Sequence, residues 1–343
     1  MSFHKDVINN EQGLALLMTV FIVTLATILV LDFSGETLRY QRQCRMFQER
    51  VQADLMLKSA IGLAQGLIEF PKPPTSTDED WLGDLWSVVA SESSLPIPGF
   101  VGEPKLLIVD ESSKINVNTI VAAPFPPTPG GINAYWRDAL SALLQSQGFG
   151  DENYEPEESR TLGNKGFNAN NQVAAIYDWI DTDKLSLNDS SFDGQGIETQ
   201  ADKRWFFNRP LSSISELALI PGMTLERLAR ISRFVKASPS SYSKINVNTA
   251  PLEVLQAIRF EPDQISDIIQ QRLGKPIDQA TLSLLVQVGG NPNLAQITTV
   301  RSQEFSAYVK ITMPNVTRWA HAIFIVSGPG VNRTSFRNYL EIM

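Results

Sequence analysis

The longest pattern in the chain is an uncharged stretch, residues 14–31 (LALLMTVFIVTLATILVL), in which every position is apolar or carries a hydroxyl. Helical rise over eighteen residues gives about 27 Å, close to the hydrocarbon thickness of a bilayer. A transmembrane segment is therefore expected over residues 14–34. The polar sequence Asp32-Phe33-Ser34-Gly35-Glu36 follows directly and offers no small-x-small signal-peptidase site, so the segment reads as an anchor rather than a secretory signal. Beyond it, Leu38, Met46, Val51, Leu55, Ile61, Leu63 and Leu67 recur at mixed three- and four-residue spacings among Arg, Gln and Glu. This spacing predicts that the helix continues over residues 35–70, bends near Asp32 and Gly35, and stops at Pro71-Lys72-Pro73-Pro74. No clean heptad is sustained, which argues against a coiled-coil stalk.

The period then changes. Lys105 to Val109 is an apolar strand candidate, and Glu304 to Thr312, Trp319 to Ser327 and Ser335 to Ile342 alternate as strands do, with Gly328-Pro329-Gly330 as a turn between the last two. They predict an antiparallel meander lying on the N-terminal helix, formed by residues 71–112 and 300–343. His321 falls inside one of these strands and reads as structural. Between the first strand and the rest, helical spacing returns at Ala134 to Gln147, Gln172 to Asp181, Ile214 to Leu219, Leu225 to Lys236, Pro251 to Arg259 and Gln264 to Arg272. The fold class is thus α+β: a long N-terminal helix on a small antiparallel sheet, with a large all-α domain inserted.

The insert carries a repeat. Ser113-Lys114-Ile115-Asn116-Val117-Asn118-Thr119 recurs letter for letter as residues 243–249. Each copy ends an extended piece and offers Asn or Thr as a helix cap, and the second is followed by Ala250-Pro251, a good opening for a helix. The copies divide the insert into a first helical domain, residues 113–242, and a second helical unit, residues 243–299. Ser215 to Thr224 has the look of a helix-hairpin-helix turn, as does INVNTAP (245–251) followed by two helices, so SAM-like or helix-hairpin-helix-like character is expected. Phosphate binding at such turns needs glycines that let backbone N–H groups approach. Only Gly222 is present in the first, and Glu261 and Asp263 sit at the tip of the second.

Composition narrows the chemistry. One cysteine, Cys44, excludes an intramolecular disulfide framework, and two histidines, His4 and His321, leave no basis for a His-built triad or a two-His metal centre within one chain. No nucleophile–base pair or phosphate loop stands out, and no enzyme is expected. The net charge of −8 is unevenly spread. Residues 203–246 hold eight basic residues and two acidic ones, a footprint that nucleic acid, a solvated helix face or a protein interface would each explain. From Asp151 to Asp202 there are twelve carboxylates and three bases. Crowded carboxylates repel unless water or a cation neutralises them, and Ca²⁺ does so with oxygens from flexible loops. Asp181-Thr182-Asp183 and the turn-rich Asn188 to Gly194 could supply them, without EF-hand spacing.

Two resemblances bear on function. The polar leader Asn9-Asn10-Glu11-Gln12-Gly13, ending at the apolar run, resembles the class III leader of type IV prepilins and type II secretion pseudopilins, although it is acidic where those leaders are usually basic. The resemblance implies cleavage by prepilin peptidase between Gly13 and Leu14 on the cytoplasmic side, N-methylation of Leu14, and a single-pass protein of the bacterial inner membrane with its large domain in the periplasm. Counted alone, Arg39, Arg42, Arg45 and Arg50 after the span would give the opposite orientation. The fifth mature residue is Met18, where most pilins carry a Glu that pairs with a neighbour's N-terminal amine. Loss of that Glu is the habit of pseudopilin K. Further on, YDWIDTD (177–183), GIE (196–198), NRPLSSISEL (208–217) and KINVNTAPLEVLQAI (244–258) resemble the general secretion pathway protein K family across essentially the whole chain. This implies a minor pseudopilin of the type II secretion system, at the pseudopilus tip, that nucleates assembly with components I, J and H and meets the major pseudopilin. It also implies structural calcium held by Asp181, Asp183 and Glu198, with Asp189, Asp193 and Asp202 as further candidates. Nucleic acid is not expected as a partner. Two other classes share parts of the pattern. A membrane-anchored helix-hairpin-helix DNA-uptake protein would share the anchor and INVNTA, and a minor type IV pilin would share the leader.

Overall fold

The computed structural model describes residues 3–70, 78–91, 103–121, 131–150, 167–199, 206–239, 243–328 and 333–342. The N-terminal helix α1 (Phe3–Ile68) runs through Asp32 and Gly35 without a break, so the expected bend does not interrupt its hydrogen bonding. Its apolar N-terminal window is entirely unburied and long enough to cross a membrane. The prolines expected to end it lie outside the described residues.

Among the described residues, it is the C-terminal third of α1 that packs against the rest of the chain. Ala53, Leu57, Ile61, Ala64 and Ile68, spaced three or four apart, share one face and are buried. They meet the inner face of a four-stranded sheet: β1 (Glu103–Asp110), β6 (Glu304–Thr312), β7 (Thr317–Ser327) and β8 (Thr334–Ile342), in that order and antiparallel throughout. Leu106, Ile108, Phe305, Ala307, Val309, Ala322 and Phe324 complete this core, with Trp86 of the short helix α2 (Leu85–Ser91). Polar contacts fix the register of helix on sheet. Glu49 accepts from Asn315 N (3.0 Å) and Nδ2 (2.8 Å) at the β6–β7 turn. Arg318 donates to Asp54 (2.9 Å), and Glu69 accepts from Ser335 N (2.7 Å). The expected meander is present. On its outer face His321 stacks on Tyr308, with centroids 4.3 Å apart, and meets Tyr339 edge-on.

Between β1 and β6 the chain forms the insert, with its own larger core. It contains α3 (Ala134–Leu144), α4 (Ala169–Ile180), α5 (Leu225–Ile231), α6 (Leu252–Ala257), α7 (Pro262–Arg272), α8 (Gln279–Val288) and α9 (Pro292–Ile297). It is not purely helical. Strand β2 (Ile115–Asn116) pairs in parallel with β3 (Val235–Lys236), and β4 (Ile245–Asn246) with β5 (Thr298–Thr299). The expected helix from Leu225 to Lys236 therefore ends at Ile231, because Val235 and Lys236 find a more distant partner in β2. Ala134 to Gln147 is cut short at Leu144 by a wide turn that reaches Gly148 at φ +86°. Ile214 to Leu219 winds as a 3-10 turn, and the helix expected from Pro251 begins one residue later.

The two copies of the repeat do the same structural work. In each, the first Asn accepts from the backbone N–H of the second: Asn116 from Asn118 (3.2 Å), Asn246 from Asn248 (3.0 Å). The second Asn then clasps both backbone groups of a remote residue. Asn118 bonds Leu211 N and O (both 2.9 Å), and Asn248 bonds Ile277 N (2.8 Å) and O (3.0 Å). A side-chain amide thus stands in for a missing strand neighbour where buried backbone groups need partners. The first Asn differs between copies. Asn116 donates within the insert, to Ser238 O (3.0 Å), whereas Asn246 donates to Ser302 Oγ (2.7 Å) and Asp80 O (2.9 Å). The second copy therefore fastens the insert to the sheet-bearing body.

Candidate functional site

Helix α4 carries the acidic site. Asn168 caps its start by accepting from Asn171 N (2.9 Å), and Val173, Ala174, Ile176, Tyr177, Trp179 and Ile180 bury it. Asp178 is buried with them. Its Oδ1 accepts from Leu187 N (2.8 Å), and its Oδ2 from Ile197 N (2.6 Å) and Glu198 N (3.0 Å). A Cβ at Gly196 would stand 2.3 Å from Asp178 Oδ2, so the loop comes this close because Gly196 has no side chain. Burial pushes the Asp178 carboxyl up to about 7, against the opposing effect of those three N–H bonds. Asp178 thus fastens the loop, and Trp179 packs against Phe206 and Phe207.

The chain leaves α4 at Asp181, whose extended backbone still donates N–H to Tyr177 O. Among the described residues, Asp181, Asp183 and Glu198 each offer an oxygen within 4.8 Å of the others. Asp181 and Glu198 are buried and Asp183 is partly buried. Both Asp181 carboxylate oxygens are buried with no hydrogen-bond partner among the described residues. Burial first, then the charges of Asp183, Asp178 and Glu198, push its carboxyl up to about 8. Asp183 accepts from Leu185 N (2.8 Å). Asn208, at φ +47°, donates to Asp183 O (2.6 Å) and Glu198 Oε1 (3.2 Å), and its own buried Oδ1 has no hydrogen-bond partner among the described residues. Three carboxylates this close repel in a low-dielectric setting unless a cation or protons intervene. The donor set is all oxygen, the chemistry of a hard cation.

Of the six acidic candidates, three are grouped. Asp189 is engaged elsewhere: it accepts from Ser191 N (2.9 Å) and Oγ (2.7 Å) and pairs with the buried Arg137. Those Ser191 bonds, more than Arg137, hold its carboxyl below its ordinary value. Asp193 is exposed and outside the group, and Asp202 lies outside the described residues. Asn208 escaped sequence reasoning. Its place before Arg209-Pro210 and the tolerance of Asn for positive φ were the available signals. Gly13, Leu14 and Met18 all lie on exposed, helical α1.

The basic segment is largely accounted for by protein partners. Arg227 is buried and donates to Phe167 O (2.8 Å) and Gly222 O (3.1 Å). Arg230 pairs with Glu226, Arg209 with Glu216, Arg233 with Glu253 and Lys236 with Glu304. Gly222 (φ +82°) serves packing, since a Cβ there would stand 2.3 Å from the Phe167 ring. Thr224, where a hairpin would carry its second Gly, caps α5.

Residues 113–240 match the family model described as Type II secretion system (T2SS), protein K. The type II secretion system protein K of Klebsiella pneumoniae is 24% identical over 249 residues, covering 70% of this chain and 67% of that protein. A chain of the crystal structure of the GspK-GspI-GspJ complex from the enterotoxigenic Escherichia coli Type 2 Secretion System matches with a TM-score of 0.61 and 18% identity, over 88% of this chain and 99% of that one. The family match falls on the first helical unit, acidic site included, and the structural likeness extends to helix and sheet. Residues 113–240 of the chain thus match the protein K family of the type II secretion system, and its fold is similar to that of a chain of the GspK-GspI-GspJ complex.

Proposed function

We propose that the chain sits at the tip of the pseudopilus and starts its assembly with other minor pseudopilins, supporting protein export across the outer membrane. The observation that carries this reading is the insert: a second hydrophobic core built between β1 and β6, clamped to the sheet by Asn246 and larger than the body that bears it. Such a mass leaves no room for another subunit stacked above. Met18 adds a second reason, because a thioether cannot neutralise the N-terminal amine of another subunit. Components I, J and H and the major pseudopilin are the partners of this reading. The likeness to a protein solved with GspI and GspJ supports the first two. Cleavage between Gly13 and Leu14 by prepilin peptidase, methylation of Leu14, and a periplasmic position for everything after the membrane span complete it. In domain terms it divides the chain into leader (1–13), span (14–34), helix continuation (35–70), α+β body (71–112 and 300–343) and two helical units (113–242 and 243–299), the first with SAM-like or helix-hairpin-helix-like character.

The acidic group is read as a structural Ca²⁺ site. Its residues fit the ion: Asp181, Asp183 and Glu198 supply carboxylate oxygens, Asp181 presents two without hydrogen bonds, and Asn208 stands beside them with an amide oxygen. The ion would neutralise the cluster and tie the end of α4 to the 197–208 loop. Co-expression with components I and J tests the assembly reading: the full chain is expected to co-purify with both. A Met18→Glu chain lacking residues 113–299 is expected to enter the fibre along its length. Failure to co-purify, or exclusion of that variant from fibres, would count against the tip position.

A further inference from the structure

We propose that the hairpin of α6 and α7 is a docking groove for a basic amphipathic helix of another protein. The groove, about 350 Å³, has Leu252, Gln256 and Phe260 along one side and Pro262, Ile265 and Ile269 along the other. Each row repeats at three or four residues and so forms a ridge, and a trough between two such ridges takes a third helix by its apolar face. Phe260 and Ile265 are buried and make the floor, whereas Leu252 is 42% exposed, Pro262 is exposed and Ile269 is half-buried. Leu273, 81% exposed, continues the α7 row one turn beyond Ile269. Covering this apolar strip removes it from water, which favours docking.

Charge selects the occupant. On the flank of α7 beside the trough, Asp263 and Asp267 stand one turn apart, both exposed and neither in an ion pair among the described residues. Glu261 adds a third carboxylate at the cap of α7. The cations nearest in sequence are engaged elsewhere. Arg259 pairs with Asp138 (3.0 Å), Arg272 donates to the carbonyls of Val247 (3.1 Å) and Ala250 (2.7 Å), and Lys275 acts on Asp278 beyond the helix. Asp263 suits the positive end of the α7 dipole, but Asp267, a turn further in, gains little from it. A docked helix with Lys or Arg on its flank would meet both carboxylates while its apolar face fills the trough. A second copy offers no such face through α8, where exposed Leu284 and Val288 lie on a helix without a charged residue. The groove shares no residue with the acidic group or with the leader, so it stands independently of the calcium and processing readings.

The test uses the full chain in a neutral detergent and a fluorescent, helix-forming peptide of Ala, Leu and Lys with leucines three and four apart, followed by anisotropy against empty micelles. Saturable binding of one peptide per chain is expected above the micelle baseline. It should weaken about fivefold in Leu252→Ser, which removes an apolar anchor, and about fivefold in Asp263→Asn combined with Asp267→Asn, the second loss fading in molar salt. A peptide with Glu in place of Lys is expected to bind about fivefold more weakly than the Lys peptide. All three substituted side chains are exposed, so circular dichroism should report unchanged folding. Four results would overturn the proposal: no saturable binding to millimolar concentration, equal binding of the Glu peptide, undiminished binding in both variants, or a wild-type dimer in sedimentation that Leu252→Ser dissolves. The last would make a second copy of the chain the occupant.

Discussion

Replacing Asp181 by Asn separates a metal ligand from a structural carboxylate, because the two roles predict opposite signs. Without cation, Asp181 holds two buried oxygens that lack hydrogen bonds among the described residues, within reach of the charges of Asp183 and Glu198. An unmet buried acceptor costs about 1–3 kcal/mol, and an uncompensated buried charge costs more. The amide removes the charge but still leaves a polar group to satisfy, so the net gain in EDTA is about 2 kcal/mol. For a unit of this size that corresponds to a Tm about 4–8 °C above the wild type. In millimolar Ca²⁺ the order reverses. The wild type gains about 2.7 kcal/mol at a hundredfold excess of ion over Kd, and the variant, short of a carboxylate, gains far less. Four thermal melts by circular dichroism, wild type and variant in EDTA and in Ca²⁺, read the crossing. Parallel destabilisation of the variant in both buffers would refute the reasoning, since it would mean that Asp181 has compensating partners and does not await an ion.

Asp178→Ala should behave differently. It strands the N–H groups of Leu187, Ile197 and Glu198, costs about 3 kcal/mol or more, and does so with or without Ca²⁺, as urea melts in both buffers would show. Asn246→Ala should raise amide hydrogen exchange on both sides of the joint between body and insert, around Asp80 and Ser302, whereas Asn116→Ala should raise it around Ser238 only; equal patterns would contradict the division of labour between the two copies. Asp110 is buried, accepts from Ser302, Thr249 and Asn246, and is pushed by burial up to about 6. The folded chain therefore holds a proton that the unfolded chain gives up near pH 4. Stability contributed by this group falls as pH rises from about 4 to about 6, by at most about 3 kcal/mol, and is level above. Asp110→Asn should remove that slope from the pH dependence of unfolding; an unchanged slope would assign it to other groups.

The sheet was readable because alternation along FSAYVKIT and its neighbours is a local signal, and α1 because its apolar run and its three-and-four spacing continue into each other. The insert was readable only in part. Leu225 to Lys236 looks helical throughout, yet Val235 pairs with Ile115, a partner 120 residues away that no local window contains. Helices α8 and α9 were missed: each is short, and Leu284 and Val288 expose apolar side chains, which blurs the amphipathic pattern. The repeat announced itself by identity. Its purpose, amide side chains replacing strand partners at Leu211 and Ile277, depends on contacts formed only when the chain is folded. The same limit divided the acidic candidates. Spacing could not separate Asp181 from Asp189, because what removes Asp189 from the group is Arg137, on another helix.

The most direct test of the whole account is the intact mass and N-terminal fragmentation spectrum of the protein purified from membranes of a host with prepilin peptidase. The account predicts a chain beginning at N-methyl-Leu14, which fixes leader, orientation and pseudopilin processing in one spectrum. A chain that keeps Met1 and the acidic leader would contradict it.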